Sequence, residues 1–296
     1  MHSSEAVVSG EPFLSRLPLA LLLGIALPAQ ALTFQTRMEN VQWAVEGDKF
    51  ECRLSQRVDG YGEAMFVRRA GERPVFELSA LSNLMRPGPA QLYNDVPPWR
   101  PGSRAQLLGQ GTIQDGPKAL RLPYQQSGQM LAGLAQGLQP TIQRSSISDI
   151  GHQITVVISS VGYQQAWNDF QSCADGLLPM NIDQISRSAI GFPSGGANLD
   201  AEARQMLDVA LEYINADPQV ARIQLDGHSD NVGDRLSNRE LSRQRMLAVQ
   251  AYLTERGVDE ALISTRFHGD RYPVASNGSA AGREKNRRVT LRLERE

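Results

Sequence analysis

Leu225-Asp226-Gly227-His228-Ser229-Asp230-Asn231-Val232-Gly233 is the stretch that decides the architecture of this chain. Before it, Ile223 and Leu225 alternate with Arg222, Gln224 and Asp226, the period of a half-buried strand, and the strand runs out into a glycine-containing loop. After it, Asn238, Leu241-Ser242 and Arg245 open a helix whose apolar positions continue through Ala248, Val249, Tyr252 and Leu253 to a stop near Gly257. Upstream, Ser186 to Phe192 reads as a strand. Leu199, Ala203, Met206, Leu207, Ala210, Tyr213 and Ile214 then recur at helical spacing. Asp200 and Glu202 stand in the first turn of that helix, where their charge suits the dipole, and Asp217-Pro218 ends it. Ile263 to His268 and Val289 to Leu293 supply two more strands. The order is β-α-β-α-β-β, a sandwich with its helices on one face of a sheet.

The preceding region, from residue 32 to about 178, differs in texture. Val41 to Val45 alternates, Glu46-Gly47-Asp48 turns, and Lys49 to Leu54 follows as a second strand. Met65-Phe66-Val67 and Val75-Phe76-Glu77-Leu78 flank a turn at Gly71-Glu72-Arg73-Pro74, and Ile154 to Ser159 is a further strand. Short apolar runs at this spacing predict antiparallel sheet. Arg86 to Pro101 is rich in proline and reads as loop; Ser127 to Gly137 reads as a short helix. An outer-membrane barrel is disfavoured, because it needs strands of about 10 residues with aromatic girdles, and aromatic residues are only 6% here. The expected fold class is α+β in two domains: 32–178, β-rich, and 179–296, the β-α-β-α-β-β unit, with Leu178-Pro179 as linker.

Residues 1–31 read as a secretory signal peptide. Arg16 precedes an apolar run from Leu17 to Leu27, Pro28 ends it, and Ala29-Gln30-Ala31 offers small residues for cleavage. The run is shorter than the roughly 20 residues that cross a bilayer. Glu5 and Glu11 are unusual ahead of such a run, and a natural start downstream of Met1 would account for them. No cysteine follows the cleavage site to carry a lipid, and no membrane span is expected in the mature chain. Export to an oxidising periplasm makes a disulfide the natural reading of Cys52 and Cys173, with two buried free thiols as the alternative.

Most classes of chemistry have no support. The net charge of -2 exerts no pull on a polyanion. The basic cluster Arg283, Lys285, Arg287, Arg288 and Arg292 is interleaved with Glu284, Glu294 and Glu296, so no nucleic-acid partner is expected. His152 and His268 read as isolated, and no metal or other cofactor is expected. His228, Ser229 and Asp230 are consecutive, so alternate side chains point to opposite faces and no triad forms. A non-catalytic protein is the expectation.

The segment 225–233, Asn238, Leu241-Ser242, Arg245 and Asn286-Arg287-Arg288-Val289 together resemble the OmpA-like peptidoglycan-binding domain over about 110 residues. The resemblance implies a site for the peptidoglycan stem peptide, chiefly its diaminopimelate, whose side chain ends in an ammonium and a carboxylate. Matched position by position, Asp230 takes the ammonium and Arg245 the carboxylate, the latter through two parallel hydrogen bonds. Ser229, Asn238 and Leu241 match supporting positions, and Arg287 contributes from the last strand. One departure is visible: the loop Phe192 to Asn198 lacks the acidic residue that many family members carry there. Ser194 or backbone amides would have to replace it.

The first half has a resemblance of its own. Leu32 to Asn40, Phe50 to Gln56, Phe66 to Glu72, Gln171-Ser172-Cys173 and Phe192 to Gly196 look like the MotY family of periplasmic flagellar motor proteins. That resemblance implies a T-ring component at the flagellar basal body that helps recruit stator units and anchors to the wall, with its two cysteines bonded. A generic periplasmic peptidoglycan tether unrelated to motility is the alternative. A wall-processing enzyme would need a catalytic cluster in 32–178, where His152 has no evident nucleophile beside it.

Overall fold

The computed structural model describes residues 1–2, 31–148 and 152–296. The expected signal peptide falls on residues outside the described ones, apart from its two ends.

The first half runs β1 (Ala31–Phe34), β2 (Trp43–Gly47), β3 (Glu51–Val58), β4 (Gly62–Arg69), β5 (Val75–Ala80), β6 (Gly88–Asp95), β7 (Gln106–Ile113), β8 (Lys118–Leu122), α1 (Tyr124–Ala135), β9 (Gln139–Ser145), β10 (Gln153–Val157) and α2 (Tyr163–Asp175). Its strands form two sheets of five, in the orders β1-β10-β9-β6-β7 and β2-β3-β4-β5-β8. The two sheets and both helices share one core, with Leu54, Phe66, Phe76, Leu92, Ile142, Val156 and Phe170 at its centre. Strand β3 shows why: Cys52, Leu54, Gln56 and Val58 alternate inward. Gln56 is polar and 1% exposed, yet its amide exchanges both hydrogen bonds with the Ser159 backbone, at 2.9 and 2.8 Å. It acts as one extra rung between distant segments.

Three local expectations change. The proline-rich stretch 86–101 is not wholly loop, because β6 lies inside it and is paired on both sides. Ala90 and Leu92 point inward there with Asn94, and Pro89 lies before the part of β6 that pairs with β9. The carbonyls of Arg86, Pro87 and Pro89 are taken by the Arg144 guanidinium at 3.0, 2.8 and 2.6 Å. The sheets are not purely antiparallel either, since β1 runs parallel to β10. Helix α2 is an addition, with Tyr163, Ala166, Phe170 and Ala174 buried at helical spacing between polar residues.

The two cysteines are bonded, joining β3 to the last turn of α2 just before the chain leaves for its second half. The second half runs α3 (Ile182–Ile185), β11 (Arg187–Gly191), α4 (Ala201–Ala216), β12 (Val220–Gly227), α5 (Arg235–Thr254), β13 (Ile263–Phe267), α6 (Ala280–Asn286) and β14 (Arg288–Arg295). The sheet order is β11-β14-β12-β13, with β12 and β13 parallel and the other pairs antiparallel. This is the expected β-α-β-α-β-β unit plus the short helices α3 and α6. Asp200 and Asp234 cap α4 and α5 by accepting first-turn N–H groups. The second core joins Leu207, Ala210, Val249 and Leu253 of the helices to Ile223, Leu225 and Leu291 of the sheet.

The halves touch. Phe50, at the β2–β3 turn, meets Tyr213 of α4 edge-on at 5.5 Å. Asn181 is 3% exposed and donates to Ala70 O at 2.9 Å and to Glu72 Oε1 at 2.8 Å. Arg69 pairs with Asp183 at 2.7 Å.

Candidate functional site

The site forms where β12 ends against the start of α5. A Cβ on Gly227 would lie 2.2 Å from Ser242 O and 3.1 Å from Met246 Cβ, so only glycine lets the strand end meet the helix this closely. Ser242, fully buried, locks the approach. Its hydroxyl donates to Arg239 O at 2.7 Å and accepts from Gly269 N at 2.9 Å. The Gly269 carbonyl in turn accepts Ser229 N at 2.9 Å. Ser242 and Gly269 are thus positioning residues. Ser242 stood inside the motif without a role, and Gly269, with φ of +63°, had no local signal beyond being glycine.

Asp230 is 6% exposed and held at both oxygens. Oδ1 accepts Val232 N at 3.1 Å, and Oδ2 accepts Arg287 Nη1 at 3.1 Å. Ser229 turns its hydroxyl onto Asp230 O at 2.9 Å, which fixes the peptide between them. Arg287 also donates Nε to Phe192 O at 3.1 Å, so it ties the end of β11 to the Asp230 loop.

Arg245 lies beneath that rim with 0% exposure. It donates Nε to Gly196 O at 2.8 Å, Nη2 to Pro193 O at 2.9 Å and Nη1 to His228 O at 3.2 Å. Its guanidinium also stands 5.5 Å from the Phe192 ring centre. Burial lowers its pKa to about 10, the nearby Asp230 charge opposes that, and Arg287 adds to it. An arginine has five N–H donors. The backbone bonds leave one on Nη1 and one on Nη2. The loop 192–198, which lacks an acid, is therefore held by Arg245 through its carbonyls. The partner of Asp230 in an ion pair is Arg287 rather than Arg245.

Asn238 is 3% exposed, and its Nδ2 has no hydrogen-bond partner; Leu241 beside it is half-buried. His228 lies under the loop with Nδ1 equally unpartnered. His268, isolated in sequence, stacks on His228 at 5.0 Å and bonds Asp226 at 3.0 Å through Nε2. Burial first, then the charges of Arg288 and His268, push the His228 pKa down to about 4, with Asp226 opposing. Asn286 is fully buried and satisfied. Its Oδ1 takes Val274 N and Ala275 N, and its Nδ2 donates to Ala275 O and Asn277 Oδ1, all within 3.1 Å. A cavity of about 540 Å³ opens beside Arg287, walled by Phe192, Pro193, Met206, Val274 and Lys285.

Four of the six residues singled out from sequence thus meet: Asp230 and Arg287 paired at the rim, Ser229 and Arg245 under it. Asn238 and Leu241 lie in the first two turns of α5, the helix that carries Arg245. Among the described residues, no group of three or more His, Cys, Asp or Glu could hold a metal ion. No helix among them is long and apolar enough to cross a membrane.

Comparison with known proteins agrees with this architecture. Residues 191–287 match the OmpA family and residues 34–179 match the MotY N-terminal domain. The peptidoglycan-binding protein ArfA of Mycobacterium tuberculosis is 37% identical over 119 residues, which cover 40% of this chain and 36% of ArfA. The outer-membrane lipoprotein YfiB of Pseudomonas aeruginosa is 29% identical over 164 residues, 54% of this chain and 88% of YfiB. By fold and matched residues, the second half is an OmpA-family domain. The sodium-type flagellar protein MotY of Vibrio parahaemolyticus is 26% identical over 260 residues, 86% of this chain and 87% of that protein. The chain thus carries a MotY N-terminal domain followed by an OmpA-family domain.

Proposed function

We propose that this chain is a non-catalytic periplasmic component of the flagellar motor. In this reading residues 1–31 direct export, 32–178 associate with the basal body in a T ring, and 179–296 hold the peptidoglycan wall and so anchor stator units. The carrying observation is the similarity to a MotY protein along most of both chains. The site suits the stem peptide. Asp230 Oδ1 and Oδ2 keep acceptor capacity for a diaminopimelate ammonium. Arg245 keeps two N–H groups in reserve for a carboxylate, but at 0% exposure it meets one only if the loop at Pro193 and Gly196 gives way. The unpartnered Asn238 Nδ2 is one further donor, on the helix that carries Arg245. Several weak wall contacts around a ring would hold by avidity.

Two measurements test the reading. An in-frame deletion strain is expected to keep its filaments and lose swimming in soft agar, with rescue by the plasmid-borne gene; normal swimming under several loads would leave only a generic wall tether. Purified Asp230→Ala protein is expected to stay folded and lose co-sedimentation with sacculi, and wild-type retention would remove the site from that role.

A further inference from the structure

Helices α4 and α5 cover one face of the C-terminal sheet, and the other face is open. On β11, Ser188 and Ile190 point inward while Arg187, Ala189 and Gly191 point out. The register sets Arg187 directly opposite Arg292 of β14, Arg292 opposite Gln224 of β12, and Gln224 beside Ser264 of β13. Residues directly opposite share a face, so these four form one row across the open side. The ladder bonds Phe192 N to Arg287 O and Leu293 N to Ser186 O flank the pair. They make the even-numbered residues of β11 the hydrogen-bonded ones. Arg187 and Arg292 are therefore a non-hydrogen-bonded pair, the type in which facing side chains stand closest.

Two like charges in that position repel, and the acids on the same face make their direct contacts with other side chains. Glu294 accepts Gln224 Nε2 at 2.5 Å and pairs with Arg222 at 3.7 Å. Asp226 is engaged by His268 at 3.0 Å. Arg187 is exposed and has no hydrogen bond or ion pair. Arg292 donates Nη1 to Gln224 Oε1 at 3.3 Å, and its Nε–H is buried without a partner. The row therefore holds two cross-strand guanidiniums and a donor, Arg292 Nε–H, that the protein itself does not satisfy. Each planar fork can give a carboxylate or phosphate two parallel hydrogen bonds.

We propose that Arg187 and Arg292, on the open face of the C-terminal sheet, form an oxyanion site for a carboxylate or phosphate group, separate from the Asp230 rim. The row lies within the strands, whereas the rim lies beyond the end of β12, so the two sites are occupied independently. Carboxylates of an acidic envelope polymer and phosphates of lipid headgroups carry the same chemistry.

The test uses the full chain. Arginine Nε–H resonances are followed by NMR during separate titrations with inorganic phosphate and with glutarate, against sodium chloride of matched ionic strength. The Arg292 Nε–H signal is expected to move saturably with at least one of the two. Arg187→Gln and Arg292→Lys are each expected to weaken that response tenfold or more, while Asp230→Ala leaves it unchanged. Saturation by phosphate alone assigns the site to phosphate groups, and by glutarate alone to carboxylates. In ligand-free buffer of low ionic strength, Arg187→Gln is expected to unfold at no lower urea concentration than wild type, because it removes a repulsion. A response no larger than with chloride, an Arg187→Gln response equal to wild type, or an Asp230→Ala variant that loses it would overturn the proposal.

Discussion

At the scale of single residues, the site divides work between two arginines. Arg287 is the counter-ion of Asp230, and Arg245 is a buried brace for three backbone carbonyls. Arg245→Ala leaves those carbonyls without donors and opens a cavity, so a loss of about 3 kcal/mol or more is expected in urea unfolding. Asp230→Asn keeps shape and most bonds, and a loss under about 1.5 kcal/mol is expected. Equal losses would contradict this division. His228 sets a pH dependence. Its folded pKa, about 4, lies below the ordinary 6.5, so the unfolded chain binds its proton first. Its contribution is complete above about pH 6.5 and falls as pH drops toward 4, by a total on the order of 3 kcal/mol. His228→Gln is expected to flatten stability against pH across that window. An unchanged slope would assign the acid sensitivity to other groups.

At the scale of elements, the contact of β12 with α5 positions everything else. The strand delivers Ser229 and Asp230, the helix delivers Asn238, Leu241 and Arg245, and Gly227 sets how closely they approach. Gly227→Ala pushes a methyl into Ser242 O. The expected result is a loss of at least about 2 kcal/mol together with weaker sacculus binding, because Ser229 moves with the strand end. A crystal structure of the variant with the Ser242–Gly269 bond intact would show that the contact has slack. The Asn286 clamp on residues 274–277 does the same for the other rim, since Arg287 follows directly.

At the scale of the whole molecule, the bond between Cys52 and Cys173 spans 121 residues and closes most of the first half into one loop. In the chain-entropy account such a closure stabilises by about 5 kcal/mol. It also holds the end of α2 next to the β2–β3 turn that carries Phe50 into the second core. Cys52→Ser with Cys173→Ser is expected to lower the urea midpoint of the first half strongly. The second half, with its own core, should unfold as before. A shift of both transitions together would mean that the contacts at Asn181 and Phe50 fuse the halves into one cooperative unit.

The amino-acid sequence by itself determined the α+β class, the β-α-β-α-β-β order, and four residues that meet at one place, Ser229, Asp230, Arg245 and Arg287. Those features depend on local periodicity, on glycine and proline punctuation and on short-range motifs, all of which are written along the chain. Strand β6 was hidden because prolines at 87, 89, 97 and 98 mask a short alternating run, and only its pairing with β7 and β9 makes it a strand. The sequence reading put Asp230 and Arg245 together as one rim pair. Only the tertiary structure decided that Arg287 neutralises Asp230 while Arg245 turns inward to the carbonyls of residues 193, 196 and 228. Partner choice among charged side chains depends on which backbone groups burial leaves unsatisfied, and those groups come from segments 17, 49 and 52 residues away from Arg245, beyond the reach of any local pattern.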